Sequence, residues 1–368
     1  KERAETGRIY IMNIDHCNTH SSFKDKVYMS NLCQEITLPT TPIQHIDDKE
    51  GEIALCILSA INLGLLTDID ELEDLCDLSV RALDEIIDYQ EYPVEAAKIS
   101  TQARRSLGIG YIGLAHYLAK NQVSYEHKTA AKLVDKVTEA FQFYLLKASN
   151  NLAKEKSKCL WFEKTKYSEG ILPIDTYKKE LDEIVSRKYT YDWEWLRKEI
   201  KEHGLRHSTL SAQMPSESSS VVSNATNGVE PPRDYLSIKK SKKGPLKQIV
   251  PDYNRLKNFY TLLWDMKSNE GYINIISVMQ KYFDQAISGN WSYNPENYKD
   301  GEVPLSTMAQ DLLTTYKLGW KTAYYQNTYD AKSDIDEPVH PVGWHDGVEE
   351  TPEEKKKDDE EDCEACTI

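Results

Sequence analysis

Asn31, Cys33 and Glu35 place an amide, a thiol and a carboxylate at alternate positions of the chain. Alternate side chains of an extended or looping backbone leave on the same side, so we expect the three groups to face one small volume. Cysteine can act as a nucleophile or a radical carrier, and glutamate can accept a proton. The pattern therefore indicates a reactive site, although a surface turn with one buried cysteine would contain the same residues.

A serine-rich segment later in the chain has the groups that suit a phosphate. It follows residues 207–214, whose pattern predicts a strand. Serine hydroxyls and free backbone N–H groups can cradle a phosphate, but a solvated turn has the same composition, so both interpretations stay open. The segment consists of Pro215, Ser216, Glu217, Ser218, Ser219 and Ser220.

Hydrophobic periodicity predicts the elements that position these residues. The pattern indicates a strand at 8–14 and a last regular element at 320–326. The apolar run 53–63 is either a parallel strand or a helix, and both would bury Cys56. Asp175 and Asp192 are expected to cap two short helices, the second ending at Gly204. Longer helices are predicted at 68–90, 94–105, 128–156, 252–266, 275–287 and 305–318.

Two further motifs, one for dinucleotide binding and one for metal binding, are weak because their sequence context does not fit. Residues 108–113 match the glycine pattern of dinucleotide-binding loops, but a predicted helix precedes them where that motif needs a strand. The acidic residue at the matching distance, Asp135, falls inside another predicted helix. His16, Cys17 and His20 lack a clear fourth ligand, so we predict no metal site.

Composition excludes several classes of protein. The 368 residues carry a formal charge of −15, and much of it lies in residues 349–362. An acidic chain is not expected to bind nucleic acid, and no apolar run reaches the ~18 residues that a membrane helix needs. Nothing at Lys1 resembles a secretory signal, although the abrupt start suggests that something precedes it. Seven scattered cysteines favour a reducing compartment, so a cytoplasmic enzyme is expected.

Beyond residue 330 the composition changes to proline, glycine and mixed charge. Such a segment cannot bury a core and is expected to be a flexible acidic tail. Near its end lie Cys363 and Cys366, with two residues between them. Such a pair is either half a zinc site or a mobile dithiol that exchanges electrons. The dithiol fits a mobile tail better.

Together these pieces resemble the large, catalytic subunit of class I ribonucleotide reductase, in the half after its middle. The resemblance extends from residue 7 to residue 368. Each motif is short, but the combination is specific. The matching segments are residues 15–20, 30–35, 51–56, 214–219, 224–232 and 324–328, with the terminal pair Cys363 and Cys366.

The resemblance implies roles for the opening segment. Cys33 resembles the thiyl radical that removes the 3′ hydrogen of a ribonucleoside diphosphate. Glu35 resembles the base that takes the 3′-hydroxyl proton, and Asn31 the amide that binds the ribose. Leu32 and Gln34 complete the segment that lies at the substrate.

The resemblance also implies where reducing equivalents come from. Cys56 would be one of two thiols that reduce the 2′ carbon and end as a disulfide, with its partner in the earlier half of the subunit. Cys363 and Cys366 resemble the tail dithiol that re-reduces this disulfide before thioredoxin or glutaredoxin restores it. Residues 215–219 resemble the loop that holds the substrate diphosphate.

Tyr325 and then Tyr324 resemble a relay that passes the radical from the small subunit toward Cys33. A packed aromatic pair at a strand end would look the same. The chain itself is expected to bind no metal or cofactor and to depend on the di-iron type metal and tyrosyl radical cofactor of the small subunit.

The fold that the resemblance implies is α/β. Residues 1–330 would form the C-terminal half of a ten-stranded α/β barrel with the radical cysteine on an interior loop, and residues 331–368 the flexible tail. Half a barrel exposes long strand edges. We therefore expect the chain to assemble with a separate polypeptide that carries the N-terminal half, as from a split gene, unless the sequence is a fragment.

Two other functions remain open from sequence. A catalytically incompetent fragment would only assemble with reductase partners, although the intact residues of the site argue against it. A cobalamin-dependent reductase would share the barrel but would not need the pair Tyr324 and Tyr325, since that class has no relay from a second subunit.

Overall fold

The computed structural model describes residues 1–241 and 244–330, so Cys363, Cys366 and the whole predicted tail lie outside the described residues. The strands are β1 Ile11–Met12, β2 Ile57–Asn62, β3 Leu107–Ile112, β4 Leu236–Ser241, β5 Gly244–Ile249, β6 Trp291–Tyr293, β7 Thr322–Ala323 and β8 Gln326–Thr328. The helices are α1 Glu2–Thr6, α2 Ile14–Thr19, α3 Leu72–Tyr89, α4 Glu95–Arg104, α5 Leu114–Lys120, α6 Lys128–Lys156, α7 Pro173–Thr176, α8 Trp193–His203, α9 Glu217–Val222, α10 Tyr253–Leu256, α11 Glu270–Gln280 and α12 Leu305–Lys317.

Parallel pairing organises the part of the chain that carries the site. β2 pairs with β3 along its whole length. A parallel bridge joins Ile109 of β3 to Ser211, and another joins Gln213 to Ile287. β6 and β8 are also parallel. The described strands therefore give an α/β arrangement of parallel segments connected by helices, and they do not close into a barrel.

Helix α6 forms the centre of the hydrophobic core. It packs against α3, α8 and α11. Its side chains Val134, Phe141 and Leu145 are fully buried in the main apolar cluster. Burying large apolar side chains contributes about 1.5–3 kcal/mol each, so this layer holds the parallel strands in place. No helix of the described residues is both long and apolar enough to cross a membrane.

The long helices agree with the sequence because their caps and periodicity are local. The predicted helix at 128–156 is α6 to the residue, and α3 and α4 lie within the predicted 68–90 and 94–105. Asp192 caps α8 by accepting a hydrogen bond from the Trp195 N–H at 2.9 Å. Gly204 then follows the last residue of that helix.

Long-range hydrogen bonds shorten or replace other predicted elements. The predicted helix 252–266 is wrong, because α10 ends at Leu256 and the Leu263 N–H bonds to the Pro232 carbonyl instead. The predicted helix 275–287 is α11, which ends at Gln280, since the following backbone pairs with residues 211–213. The predicted strand 207–214 is reduced to bridges.

Three more local predictions need correction. The predicted strand 8–14 is only β1, because α2 already begins at Ile14. Asp175 was predicted as the residue that begins the first of two short helices. It lies inside α7 instead, where its carboxylate accepts a hydrogen bond from the N–H of Leu172, the residue before the helix, at 2.8 Å. The last predicted element, 320–326, is split into β7 and β8 around two tyrosines.

The glycine-rich residues 108–113 form strand β3 and the turn after it, whereas the dinucleotide fingerprint forms the turn between a strand and a helix. A Cβ atom on Gly110 would lie 2.7 Å from the Ala212 carbonyl oxygen. Glycine there lets two backbones approach closely. Asp135 lies inside α6, buried and paired with Arg187 and Lys281.

Candidate active site

The segment around Cys33 is a tight loop that its own first residue closes. The Gln34 N–H bonds to the Asn31 carbonyl at 3.2 Å, and the Asn31 side chain accepts from the Ile36 N–H at 3.1 Å. Gln34 has a left-handed backbone with φ of 70°. The Asn31 side chain also hydrogen-bonds the Glu35 carboxylate. The predicted convergence of amide and carboxylate is therefore present, but a turn produces it rather than extended alternation.

Residues 286–288 hold this loop from behind. The Ala286 N–H donates to the Glu35 carbonyl at 3.0 Å. The Ser288 hydroxyl contacts the Cys33 carbonyl and lies 3.2 Å from the Glu35 carboxylate. Glu35 is almost fully buried, and burial raises the pKa of its carboxyl while the hydrogen bonds from Asn31 and Ser288 oppose that rise. A buried carboxylate with a raised pKa is a competent proton acceptor.

Cys56 contacts the same segment, residues 285–288, at its first residue, Gln285. The Gln285 amide donates to its sulfur at 3.4 Å and to the Leu107 carbonyl at 3.0 Å. Loss of water around the sulfur strongly raises the pKa of the thiol, with the Gln285 hydrogen bond opposing. A Cβ atom on Gly108 would lie 2.9 Å from this sulfur, so glycine leaves room for it. Residues 285–288 therefore contact both cysteines of the site.

The prediction that the apolar run would bury Cys56 is wrong for the residue as a whole, although the sulfur itself is shielded from water. Cys56 is only partly buried, and so is most of β2. Leu58 on the same strand is 43% exposed. The cause is that β2 pairs on one edge only, with β3, within the described residues.

Tyr324 and Tyr325 lie beside the Cys33 loop. Their ring centroids are 4.3 Å apart. Tyr324 is 7% exposed, and its hydroxyl hydrogen-bonds the Cys33 side chain. Burial first and this contact second raise the pKa of Tyr324 strongly. The structure thus brings the predicted tyrosine pair into contact with the predicted radical cysteine.

The serine-rich segment is mostly helical rather than a loop. Pro215 and Ser216 precede α9, while Ser218 and Ser219 lie in its first turn. The Ser219 hydroxyl donates to the Ser216 carbonyl at 3.3 Å, a local bond that lets serine occupy this turn. Gln213, two residues before Pro215, bonds to the backbone of residues 286 and 288, so the segment begins next to the Cys33 loop.

Leu32 and Gln34 have opposite environments. Leu32 is 65% exposed, whereas the Gln34 side chain is buried. An exposed leucine at the tip of the loop offers an apolar surface beside Cys33 and Asn31.

Sequence reasoning missed several residues that shape the site. The clearest is Lys321, which is fully buried and donates through Nζ to the carbonyls of Phe283, Asp284 and Gln285 at 3.3, 2.8 and 2.9 Å. Burial lowers the pKa of this amine to about 7. It ties the strand that precedes Tyr324 to the segment behind both cysteines, and a lone lysine next to a tryptophan gave no signal of this.

His16, Cys17 and His20 do not gather around a metal. The His16 ring bonds the Trp320 carbonyl at 2.8 Å, and the Cys17 thiol donates to the Lys321 carbonyl at 3.6 Å. His20 lies between the Thr176 hydroxyl and the Gln280 carbonyl. Across residues 1–241 and 244–330 no group of three His, Cys, Asp or Glu residues is arranged to hold a metal ion. His16 and Cys17 instead fasten α2 to the two residues before β7, and His20 connects the end of α2 to α7 and α11.

A thiol that touches a buried tyrosine and shares its loop with an amide and a carboxylate, on an α/β scaffold, defines a class of thiol-based redox site. Comparison with known proteins narrows this class. Residues 1–326 match the family described as "ribonucleotide reductase, barrel domain". The chain therefore belongs to the ribonucleotide reductase family.

Curated relatives support this membership. The ribonucleoside-diphosphate reductase subunit alpha of Haemophilus influenzae is 59% identical over 342 residues, which are 92% of this chain and 45% of that protein. The ribonucleoside-diphosphate reductase 1 subunit alpha of Escherichia coli (strain K12) is 56% identical over 352 residues, which are 95% of this chain and 46% of that protein. The subunit alpha of Enterobacteria phage T4 is 40% identical over 374 residues, covering 100% and 47%. The chain spans about half the length of these relatives.

Proposed function

We propose that the chain is the C-terminal half of the large subunit of a class I ribonucleoside-diphosphate reductase. In this role it takes part in reducing ribonucleoside diphosphates to 2′-deoxyribonucleoside diphosphates. The observation that carries the proposal is the double contact of the Cys33 loop. On one side the Cys33 side chain meets buried Tyr324, and on the other the loop presents Glu35 and Asn31.

The first step needs a sulfur radical and a base. The Cys33 thiyl removes the 3′ hydrogen atom of the substrate, which leaves a carbon radical and restores the Cys33 S–H bond. Glu35 takes the 3′-hydroxyl proton, and Asn31 orients the ribose. The hydroxyl at the 2′ carbon then leaves as water. The raised pKa of Glu35 suits a group that accepts and later returns a proton.

Two thiols supply the electrons for the second step. Cys56 and a partner cysteine in the N-terminal half each lose a hydrogen and form a disulfide. One of these hydrogens, as a proton, joins the departing 2′ hydroxyl to make the water, and the other is gained by the 2′ carbon. Cys33 then gives its hydrogen back to the 3′ carbon and is again a thiyl. Cys363 and Cys366, which lie outside the described residues, would reduce the disulfide, and thioredoxin or glutaredoxin would restore them.

The radical would reach Cys33 through Tyr325 and Tyr324 from the small subunit. That subunit would carry the di-iron type metal and tyrosyl radical cofactor, as the similarity to subunit alpha of ribonucleoside-diphosphate reductases implies. The ring separation of 4.3 Å and the Tyr324 contact with Cys33 support the order of the relay.

Residues 215–219 would hold the diphosphate of the substrate. The segment follows the stretch that bridges to residue 287, directly behind the Cys33 loop. Leu32 and Gln34 would line the same cavity as parts of the loop. A cytoplasmic location is proposed because seven cysteines scattered through a large chain favour a reducing compartment.

The parallel segments would form half of the family's ten-stranded barrel, with Cys33 on an interior loop. The open edge of β2 supports this, since edge strands are normally paired or covered. The missing strands would come from the N-terminal half of the subunit, carried either on a separate polypeptide or, if the sequence is a fragment, on the same longer chain. The site would turn over only in the complex of this chain, that half and the small subunit.

Replacing Cys33 by serine tests the proposed function. Serine has nearly the same size but cannot form a thiyl radical, so we expect no deoxynucleotide product and unchanged binding of the diphosphate substrate. Turnover and equilibrium binding are measured on the assembled complex. Cys159→Ala is the matched control, because this buried cysteine lies outside the site and its loss should leave turnover nearly intact. Appreciable product from the Cys33→Ser complex would exclude the proposal.

A further inference from the structure

A third tyrosine lies against the tyrosine pair. Strand β1 runs antiparallel to β7, with Ile11 opposite Ala323 and Met12 opposite Thr322. Continuing this register by one residue places Tyr10 opposite Tyr324. No sequence motif marked Tyr10, because the pairing joins residues more than 300 positions apart.

Tyr10 contacts both members of the pair. Its ring centroid lies 4.7 Å from that of Tyr324 and 5.1 Å from that of Tyr325, the latter edge to face. Its hydroxyl hydrogen-bonds the side chains of both residues. Tyr10 is half-buried, and burial together with these neighbours raises the pKa of its phenol. The three rings therefore form one packed cluster rather than a linear pair.

Arginine holds the backbone of this cluster. The Arg3 guanidinium donates to the Tyr324 carbonyl at 2.8 Å and also bonds the Ile9 carbonyl, next to Tyr10. Its group also lies over the Trp291 ring, 4.8 Å from the centroid. Among the described residues, Arg3 and the Cys33 side chain are titratable neighbours of Tyr10 in addition to the two tyrosines.

We propose that Tyr10 is a positioning residue of the tyrosine relay, whose hydroxyl donates a hydrogen bond to the phenolic oxygen of Tyr325 and accepts one from Tyr324. The inference rests on the proposed function, since it gives Tyr10 a role in that relay. Oxidation of a phenol changes the hydrogen-bonding demand of its oxygen. A fixed donor at Tyr325 therefore sets how easily that tyrosine gives up and regains its hydrogen. Tyr10 itself loses no electron in this role.

A spectroscopic reporter at position 325 tests the hydrogen bond without turnover. 3-Nitrotyrosine replaces Tyr325 in the full chain, in the assembly in which it purifies, and its visible phenolate absorbance is titrated against pH. A hydrogen bond to a charged oxygen stabilises the phenolate. In the Tyr10→Phe background we therefore expect the pKa of the reporter to rise by about one.

Two further variants separate the hydroxyl from the ring and from general effects. Tyr92→Phe removes a hydroxyl that bonds the Ile87 carbonyl far from the cluster, and it should leave the reporter unchanged. Tyr10→Leu removes the ring as well. An unchanged reporter in Tyr10→Phe, or a shift that appears only in Tyr10→Leu, would overturn the proposal, because packing alone would then explain the contact.

Turnover separates this inference from the proposed function. With the small subunit and the N-terminal half present, Tyr10→Phe should lower kcat about tenfold with an unchanged KM for the diphosphate, since one hydrogen bond of the relay is lost. A complex with native Tyr10 that makes no product would refute the proposed function, while the reporter titration alone still decides the role of Tyr10.

Discussion

The two cysteines of the candidate site lie in contrasting surroundings. Around Cys33 the chain closes on itself, since Glu35 is 2% exposed and Tyr324 is 7% exposed. Around Cys56 the chain is open, because Leu55 and Leu58 of the adjoining segment are 37% and 43% exposed. The side that would carry the radical is therefore complete within this chain. In the proposed assembly another polypeptide segment would cover the side that would supply electrons.

Strands β2 and β3 show the same difference within one sheet. Every residue of β3 is buried, whereas only Ile61 of β2 is. The sequences of both are apolar, so composition does not explain the contrast. β3 has neighbours on both edges, β2 at one and the bridge to Ser211 at the other. The exposure of β2 therefore follows from its single paired edge within the described residues, and in the proposed assembly a further strand would cover the other edge.

The largest expected effect is on turnover and comes from a change at Tyr325, on the enclosed side around Cys33. Tyr325→Phe keeps the ring but removes the O–H bond that a radical relay needs, so we expect turnover to be abolished while the complex still assembles. Assembly is measured by native mass analysis and turnover by product formation. Full activity of this variant would remove Tyr325 from the relay and leave the enclosed side without a function.

A pair of proline substitutions at register partners sharpens the contrast between the strands. The Ile57 N–H bonds to Ser106 on the β3 side, so in a parallel strand the N–H of Ala60 faces the open edge. The Ile109 N–H bonds to Leu210, so that of Gly110, opposite Ala60, faces β2. Proline removes either donor.

The two variants should therefore fail in different ways. Gly110→Pro should cost the chain about 1–3 kcal/mol from the lost bond, and more from the close Ala212 carbonyl, which would appear as lost soluble yield. Ala60→Pro should leave the yield nearly unchanged but weaken binding of the N-terminal half about tenfold or more. Equal loss of yield, with binding of that half intact in Ala60→Pro, would contradict an open edge that awaits a partner strand.

The last prediction concerns the base on the enclosed side and is a partial loss of activity, unlike the complete loss expected for Tyr325→Phe. Burial raises the pKa of Glu35 above its ordinary value of 4.5, so the carboxylate is protonated, and unable to act as a base, up to a higher pH than usual. Activity should fall as the pH drops through this raised pKa. Glu35→Gln should lower turnover by about 10²–10⁴-fold and lose that acid limb of the pH profile. An acid limb that persists in Glu35→Gln would assign it to another group.

Sequence predicted the parts of the molecule that local rules determine. Helix α6 was expected at 128–156 and occurs there, because periodicity and caps lie within the segment itself. The helix expected at 252–266 is absent, because the Leu263 N–H bonds to the Pro232 carbonyl, a contact that no local pattern contains. The type of an element was thus predictable where interactions within the segment itself stabilise it.

The candidate site followed the same division. Asn31, Cys33 and Glu35 were selected from their types and spacing, and family resemblance added the tyrosines. The residues that contact the site from behind, Gln285 at Cys56 and Ser288 at Glu35, lie 229 and 253 positions after those partners and carried no motif. Tyr10 was missed for the same reason, since only the β1–β7 pairing brings it to Tyr324.

Turnover with and without the N-terminal half tests the central claim most directly. The full chain is mixed with the small subunit, thioredoxin and a ribonucleoside diphosphate, first alone and then with a polypeptide that carries the other half of the subunit. The contrast between the two cysteines predicts deoxynucleotide product only in the second mixture, with both halves in one complex by native mass analysis. Product from the first mixture would contradict it, because the open side at Cys56 would then already be sufficient.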